Sequence, residues 1–444
     1  MESLAKKLLE RLWPNPISIL IIIIIFSLGS TVVIPKQSND SLIPLIVYII
    51  ASIVIILISI FALIKAYRLP KARIDSCAIL FIVDTETDRQ FLEIKRKLID
   101  EFAILMKGFS SSVFEVLYIP HCRVASIVKH TKEQNINLLL KTRCNFLINV
   151  RLISDDSTNS EYYEMATDFA VLHPTYKSEI SDRFQEELFT VTKNSRNIKY
   201  NKQNKIKIIK NASKSFTLIC TYFFGLCFYL NNDLNEASKI CDELYCLVFS
   251  TKLNESVINY LKSNLPRLCF EIYCSKAWRS LDKYNTDYQE TYLDEFENYL
   301  IKANEYLPNT YEFYLNQASY HFLKNRNIYE ARICLKECGK ITKNNTWRYS
   351  EAFLFAYEGK NLLTTYRKYK QAFDISYNLV DLAKFIEHIL DVEPDKDGLH
   401  FALGLIYHEL GDDKLMRDHF EMCTLNINLH NNGDVLLNII TNIS

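Results

Sequence analysis

At 444 residues the chain is too long for a single hydrophobic core, and two or three domains are expected. Its 52 Lys and Arg are balanced by 52 Asp and Glu, which argues against a protein dedicated to nucleic acid. With only 9 Gly and 10 Pro, long regular elements should dominate, most of them helices. The 12 cysteines contain no C-x-x-C pair and fall mainly in apolar stretches, the pattern of buried reduced thiols on the cytoplasmic side.

Residues 1–75 read as a two-span transmembrane anchor. Residues 17–34 include five consecutive isoleucines, Ile21 to Ile25, and residues 42–64 form a second uncharged apolar run. At 1.5 Å per residue the second covers roughly 34 Å, enough to cross a bilayer. Lys6, Lys7 and Arg11 precede the first span and Lys65, Arg68, Lys71 and Arg73 follow the second, whereas the loop between them offers only Lys36. The excess of basic residues on that side places both termini in the cytoplasm. Integration in a membrane is therefore expected, and the Ile-, Asn-, Lys- and Tyr-rich composition suits the inner membrane of a low-GC bacterium. Ser27, Gly29 and Ser30 in the first span permit close helix packing, and with it a homo-oligomer.

Residues 76–192 read as a small α/β sandwich domain. The continuous apolar run 77–83 predicts a buried central strand. Phe91, Ile94, Leu98, Phe102 and Leu105 then recur at helical spacing over 89–107. A strand at 113–119, a helix at 124–141, strands at 144–150 and 162–172, and a closing helix at 178–190 complete the unit. This order resembles the amino-terminal α/β domain of TolB-type proteins. The turn Asp84-Thr-Glu-Thr-Asp88 also resembles the metal-binding first turn of von Willebrand A domains. That family has two serines at alternate positions after the aspartate, where Glu86 and Asp88 stand here.

Asp84, Glu86 and Asp88 are the candidate metal ligands, because carboxylates at the end of a central strand lie where open α/β sheets bind ligands. The same residues equally suit a solvated turn in which Thr87 or Asp88 caps the next helix. Between Ser30 and Thr221 the only glycine is Gly108, and no glycine-rich phosphate loop occurs anywhere. No cofactor and no common nucleotide-dependent enzyme activity is expected. The adjacent His121 and Cys122 lack the surroundings of a nucleophile and its base.

Residues 193–214 read as a basic connector: Lys193, Arg196, Lys199, Lys202, Lys205, Lys207, Lys210 and Lys214 occur without one acid. A solvated linker or a contact with anionic headgroups fits this pattern. A single-stranded nucleic-acid groove would interleave several aromatics, and Tyr200 stands alone.

Residues 215–444 carry an internal repeat. Tyr222 to Phe228 lead through Asn231-Asn-Asp to Ala237; Gln317 to Phe322 lead through Asn325-Arg-Asn to Ala331; Gly404 to Tyr407 lead through Gly411-Asp-Asp to Met416 and Phe420. Each copy sets a slim residue in one helix, an aromatic three positions on, a polar turn, and a small or apolar residue opening the next helix. Ala331 and Thr365 are 34 positions apart (365 − 331). The pattern resembles tetratricopeptide (TPR) repeats, four to six of them, with a long connector around 284–290 and an extra helix at 380–390. That resemblance implies an all-α solenoid whose groove takes a protein or peptide. The expected function is a membrane-anchored scaffold or adaptor, in bacterial signalling or defence. The alternative is a ligand- or metal-sensing α/β domain that controls a membrane effector.

Overall fold

The structure, a computed structural model, describes residues 68–74, 76–109, 114–121, 123–124, 132–154, 162–172, 197–201, 204–250, 256–341 and 345–427, together with Ile53 and Thr190. The two expected membrane spans, apart from Ile53, and the helix expected at 178–190, apart from Thr190, lie outside the described residues. The protein is mostly helical, with one small mixed sheet and an all-helical C-terminal region. It divides into two compact units, Met1–Leu265 and Pro266–Ser444.

The first unit is built on a five-stranded sheet of order β2-β1-β3-β4-β5. Strand β1 (Cys77–Asp84) is central because six of its eight residues are buried, which only a strand covered on both faces allows. It pairs in parallel with β2 (Phe114–Tyr118) and β3 (Phe146–Ser154). The β3 strand then turns back, antiparallel, through β4 (Tyr162–Val171) to β5 (Asn197–Asn201).

Side chains alternate across the sheet. Ala78, Leu80, Ile82 and Leu147 face one way and pack with Leu138 and Leu139 of α3 (Lys132–Thr142). Phe81 faces the other way and meets Phe102 of the helix that follows β1, with ring centroids 5.0 Å apart. That helix is α1 (Asp88–Ile94) and α2 (Asp100–Lys107), joined by a π-helical turn at Lys95–Ile99.

Helix α4 (Lys205–Leu230) covers the rest of that face. Its Phe216 lies 5.4 Å from Phe169, Phe223 lies 6.2 Å from Phe146, and Phe224 lies 5.1 Å from Phe114. The result is a three-layer α/β sandwich. Helix α5 (Leu234–Ser250) packs on α4 at Gly225, where a Cβ would stand 2.6 Å from Cys241 Sγ.

These contacts revise two expected boundaries. The stretch 193–214 is not only a connector: β5 extends the sheet, and α4 begins within it, with Ile209, Ala212 and Ser213 buried. Lys205 and Lys210 pair with Glu93 and Glu101 at 2.7 and 3.9 Å. The all-helical unit also does not start at 215, because the aromatic face of α4 covers the sheet; the chain divides after Leu265.

Helix α6 (Ser256–Asp287) runs through that division with Pro266 in its interior. The second unit continues with α7 (Glu290–Tyr306), α8 (Tyr311–Asn325), α9 (Ile328–Ile341), α10 (Trp347–Glu358) and α11 (Leu362–Phe373). It ends with α12 (Leu379–Val392), α13 (Asp397–Leu410) and α14 (Asp413–Ile427). Between α8 and α9, α10 and α11, and α13 and α14 only two or three residues intervene, the geometry of helical hairpins. The long connector expected at 284–290 is absent because α6 continues to Asp287 and α7 starts at Glu290. One buried core runs through the unit, from Ala277 to Cys423.

Candidate functional site

Asp84, Glu86 and Asp88 lie at the carboxyl end of β1. The chain leaves β1 for β2 on one side and returns through β3 on the other, so this is the point at which open α/β sheets leave a crevice. The structure fills this place with the protein's own partners. Arg151 on β3 donates to Asp84 Oδ2 at 3.2 Å. His121, just after β2, sets Nδ1 2.6 Å from Asp88 Oδ1 and Nε2 2.9 Å from the carbonyl oxygen of Thr85. Phe91 lies against that ring with centroids 5.4 Å apart.

Thr87 is the N-cap of α1. Its hydroxyl accepts from Gln90 N at 3.3 Å, and the Gln90 side chain returns to the N–H groups of Glu86 and Thr87. This capping box satisfies orphan donors at both ends of one turn. The acids therefore close a turn and do not converge: two carboxylates are turned to separate cationic or imidazole partners. Among the described residues no group of three His, Cys, Asp or Glu is placed to hold a metal ion.

His121 thus works with Asp88, 33 residues earlier, and its neighbour Cys122 lies outside the described residues. The described cysteines form no disulfide. Burial pushes Cys338 up to about 12 and Cys144 up to about 11, so neither is an activated thiolate.

Sequence reasoning missed a second cluster. Arg68, Lys71, Arg123, Lys141 and Arg143, with Leu69 and Leu140, line an open cavity of about 840 Å³ in the first unit. Arg68 and Lys71 had carried only a topology signal, and the pairing that brings Lys141 and Arg143 beside them has no local signature. Next to it Glu115 accepts from the Arg73 N–H and the Ser76 hydroxyl, both at 3.0 Å. Although burial opposes it, these bonds hold the Glu115 carboxyl below its usual range.

The second unit has its own polar junction at Glu393. Arg326 Nε donates to it at 2.8 Å and the Tyr357 hydroxyl at 2.5 Å. Burial raises the carboxyl, but the bonds from Tyr357 and Arg326 outweigh it and hold Glu393 low. Arg326 itself sits in the left-handed region at φ 51 as the C-cap of α8. The junction therefore ties the ends of α8, α10 and α12 together.

Comparison with known proteins adds no family assignment: no protein-family model matches the sequence, and no curated protein matches it.

Proposed function

We propose that this chain is a membrane-anchored scaffold or adaptor whose helical array, residues 266–444, binds a protein or peptide partner in the manner of TPR repeats. The reading places the array at the cytoplasmic face of a bacterial inner membrane, in signalling or defence, held there by the hairpin of residues 1–75. One observation carries it: two of the helical hairpins, α8–α9 and α13–α14, bury a small residue. Ala331 of α9 is fully buried against its neighbours, and a Cβ at Gly404 of α13 would lie 2.5 Å from Phe420 of α14. Such crossings let short helices stack side by side and expose a continuous surface that no single hairpin offers. The three acids of the α/β unit favour this reading over metal sensing, since Arg151 and His121 already occupy Asp84 and Asp88.

The test is affinity purification of the full chain from native membranes followed by mass spectrometry, with Ala331→Trp beside the wild type. A partner recovered with the wild type and lost with Ala331→Trp, both proteins remaining in the membrane fraction, is the expected outcome. Equal recovery of the same partner with both would contradict the reading.

A further inference from the structure

The basic cavity of the first unit is built by a chain crossing far from local in sequence. The N–H of Ala72 donates to the carbonyl oxygen of Thr142 at 2.9 Å, and Ala72 is buried. This bond lays residues 68–73 along the end of α3 and brings Arg68 and Lys71 beside Lys141 and Arg143. The end of α3 is itself fixed: Cys144 N donates to Leu139 O at 3.0 Å and Arg143 N to Leu140 O at 3.3 Å. Arg143 takes the left-handed position of that cap, φ 57, where glycine is usual.

A helix C-terminus favours one or two cations of its own chain, and that accounts for Lys141 and Arg143. It does not account for Arg68, Lys71 and Arg123 arriving from two other segments. Among the described residues no acid forms an ion pair with Arg68 or Lys71. Glu115 is taken up by Arg73 and Ser76, and Glu133 stands in the first turn of α3, about 12 Å along the helix from Lys141. Among the described residues none of Arg68, Lys71, Lys141 and Arg143 forms an ion pair. The lining is also amphiphilic, for Leu140 is 56% exposed amid the cations.

We propose that this cavity binds the phosphate of an anionic membrane phospholipid, the cations taking the headgroup and Leu69 and Leu140 the start of the acyl chains. The proposal rests on the membrane-anchored reading. The second expected span ends at Ile64, and the four residues from there to Arg68 reach at most about 14 Å. The headgroup layer on each side of a bilayer is about 5–8 Å deep, so the cavity mouth lies within reach of it. A free phosphate would satisfy the cations but leave the exposed leucine without a role, which is why a lipid is the occupant.

The experiment uses the full chain in neutral detergent micelles, titrated with dioctanoyl phosphatidylglycerol and read by native mass spectrometry. Dioctanoyl phosphatidylcholine and inorganic phosphate are the comparison probes. The wild type should retain phosphatidylglycerol saturably and in preference to both. Each Lys or Arg near an anionic headgroup contributes about fivefold, so Lys141→Gln with Arg143→Gly should weaken retention about 25-fold. Arg143→Gly alone should weaken it about fivefold while leaving the melting temperature unchanged or higher, because glycine suits the left-handed site. Lys107→Gln, the same charge change on α2 in the opposite layer, should have no effect.

Equal phosphatidylglycerol retention by the wild type and the double variant would overturn the proposal. So would equal retention of phosphatidylcholine, or displacement of the lipid by inorganic phosphate at matching concentration. Alkaline carbonate extraction of native membranes reports on the anchor separately. A protein that resists extraction yet shows no lipid preference loses the cavity and keeps the hairpin. One that is extracted yet binds phosphatidylglycerol loses the hairpin and keeps the cavity.

Discussion

Gly398 opens α13 against the end of α10, and a Cβ there would lie 2.1 Å from the carbonyl oxygen of Ala356. Ordinarily Gly→Ala in a helix gains up to about 1 kcal/mol in propensity. Here the obstacle is backbone, which cannot step aside as a side chain can. Gly398→Ala should therefore be net destabilising by about 1–3 kcal/mol, read by chemical or thermal unfolding; a stabilised variant would mean that α10 and α13 approach less closely.

A different residue-scale effect sits two residues further along α13, where His400 and His419 of α14 set their Nδ1 atoms 3.1 Å apart. Burial pushes both rings below their ordinary value, and for His419 the charge of His400 adds to it. Asp397, Asp418, Glu387 and the carbonyl of Pro394 surround them, and they reduce the effect without reversing it. The folded rings bind protons less readily than the unfolded ones, so their contribution is complete above about pH 6.5 and lost as the pH falls below it. The melting temperature should drop between pH 7.5 and 5.5, and His400→Gln with His419→Gln should reduce that drop. An equal drop in the double variant would remove the pair as its source.

At this scale the sequence was only partly legible. Asp84, Glu86 and Asp88 lie at the mouth of the sheet as expected, and Thr87 does cap α1. Their partners Arg151 and His121 were not foreseeable, because the pairings span 67 and 33 positions and depend on strand order.

Among the elements, the strands at 77–83, 113–119 and 144–150 were readable from their apolar runs and that at 162–172 from its alternation; each contains or overlaps an observed strand. The strand β5 was not, because Asn197-Ile-Lys-Tyr-Asn201 sits in a lysine-rich stretch without an apolar run. Helix α4 was recognised as a helix but given the wrong neighbour. Its buried residues run on continuously from Ser215 to Gly225, and such a helix does not announce whether a sheet or another helix will cover it. The π turn in the middle of 89–107 also escaped periodicity. There Asp100 N reaches back to Lys95 O, and Ser213 of α4 donates to Leu98 O at 3.3 Å.

The hairpins of the second unit make an element-scale prediction. Ala331 has no exposed surface, whereas Tyr329, two residues earlier on α9, is 72% exposed. Ala331→Trp should overpack the α8–α9 crossing and cost on the order of 1–3 kcal/mol or more. Tyr329→Trp should stay within about 0.5 kcal/mol. Lys324 would be a poor control, since it lies in the last turn of α8 and bridges to Glu290 and Asp294 of α7. Equal melting temperatures for the two tryptophan variants would place the crossing elsewhere.

For the molecule as a whole, the organisation follows from where apolar surface must go. Among the described residues one helix is long and apolar enough to cross a membrane, α4, and 67% of its apolar window is buried. It is the lid of the sheet, with Phe216, Phe223 and Phe224 turned inward. The expected anchor rests instead on residues 17–34 and 42–64, two largely apolar runs without a single charged residue. On this account the basic residues at 65–73 fix the orientation, and two of them, Arg68 and Lys71, also line the headgroup cavity. Everything proposed of the helical array depends on the side of the membrane it occupies. The most direct measurement is therefore a dual-reporter fusion, with a reporter active only outside the cytoplasm and one active only within it, placed after Ser38 and after Ser444. Outward activity at Ser38 and inward activity at Ser444 are expected. Inward activity at Ser38 would contradict the hairpin, and with it the membrane-anchored scaffold.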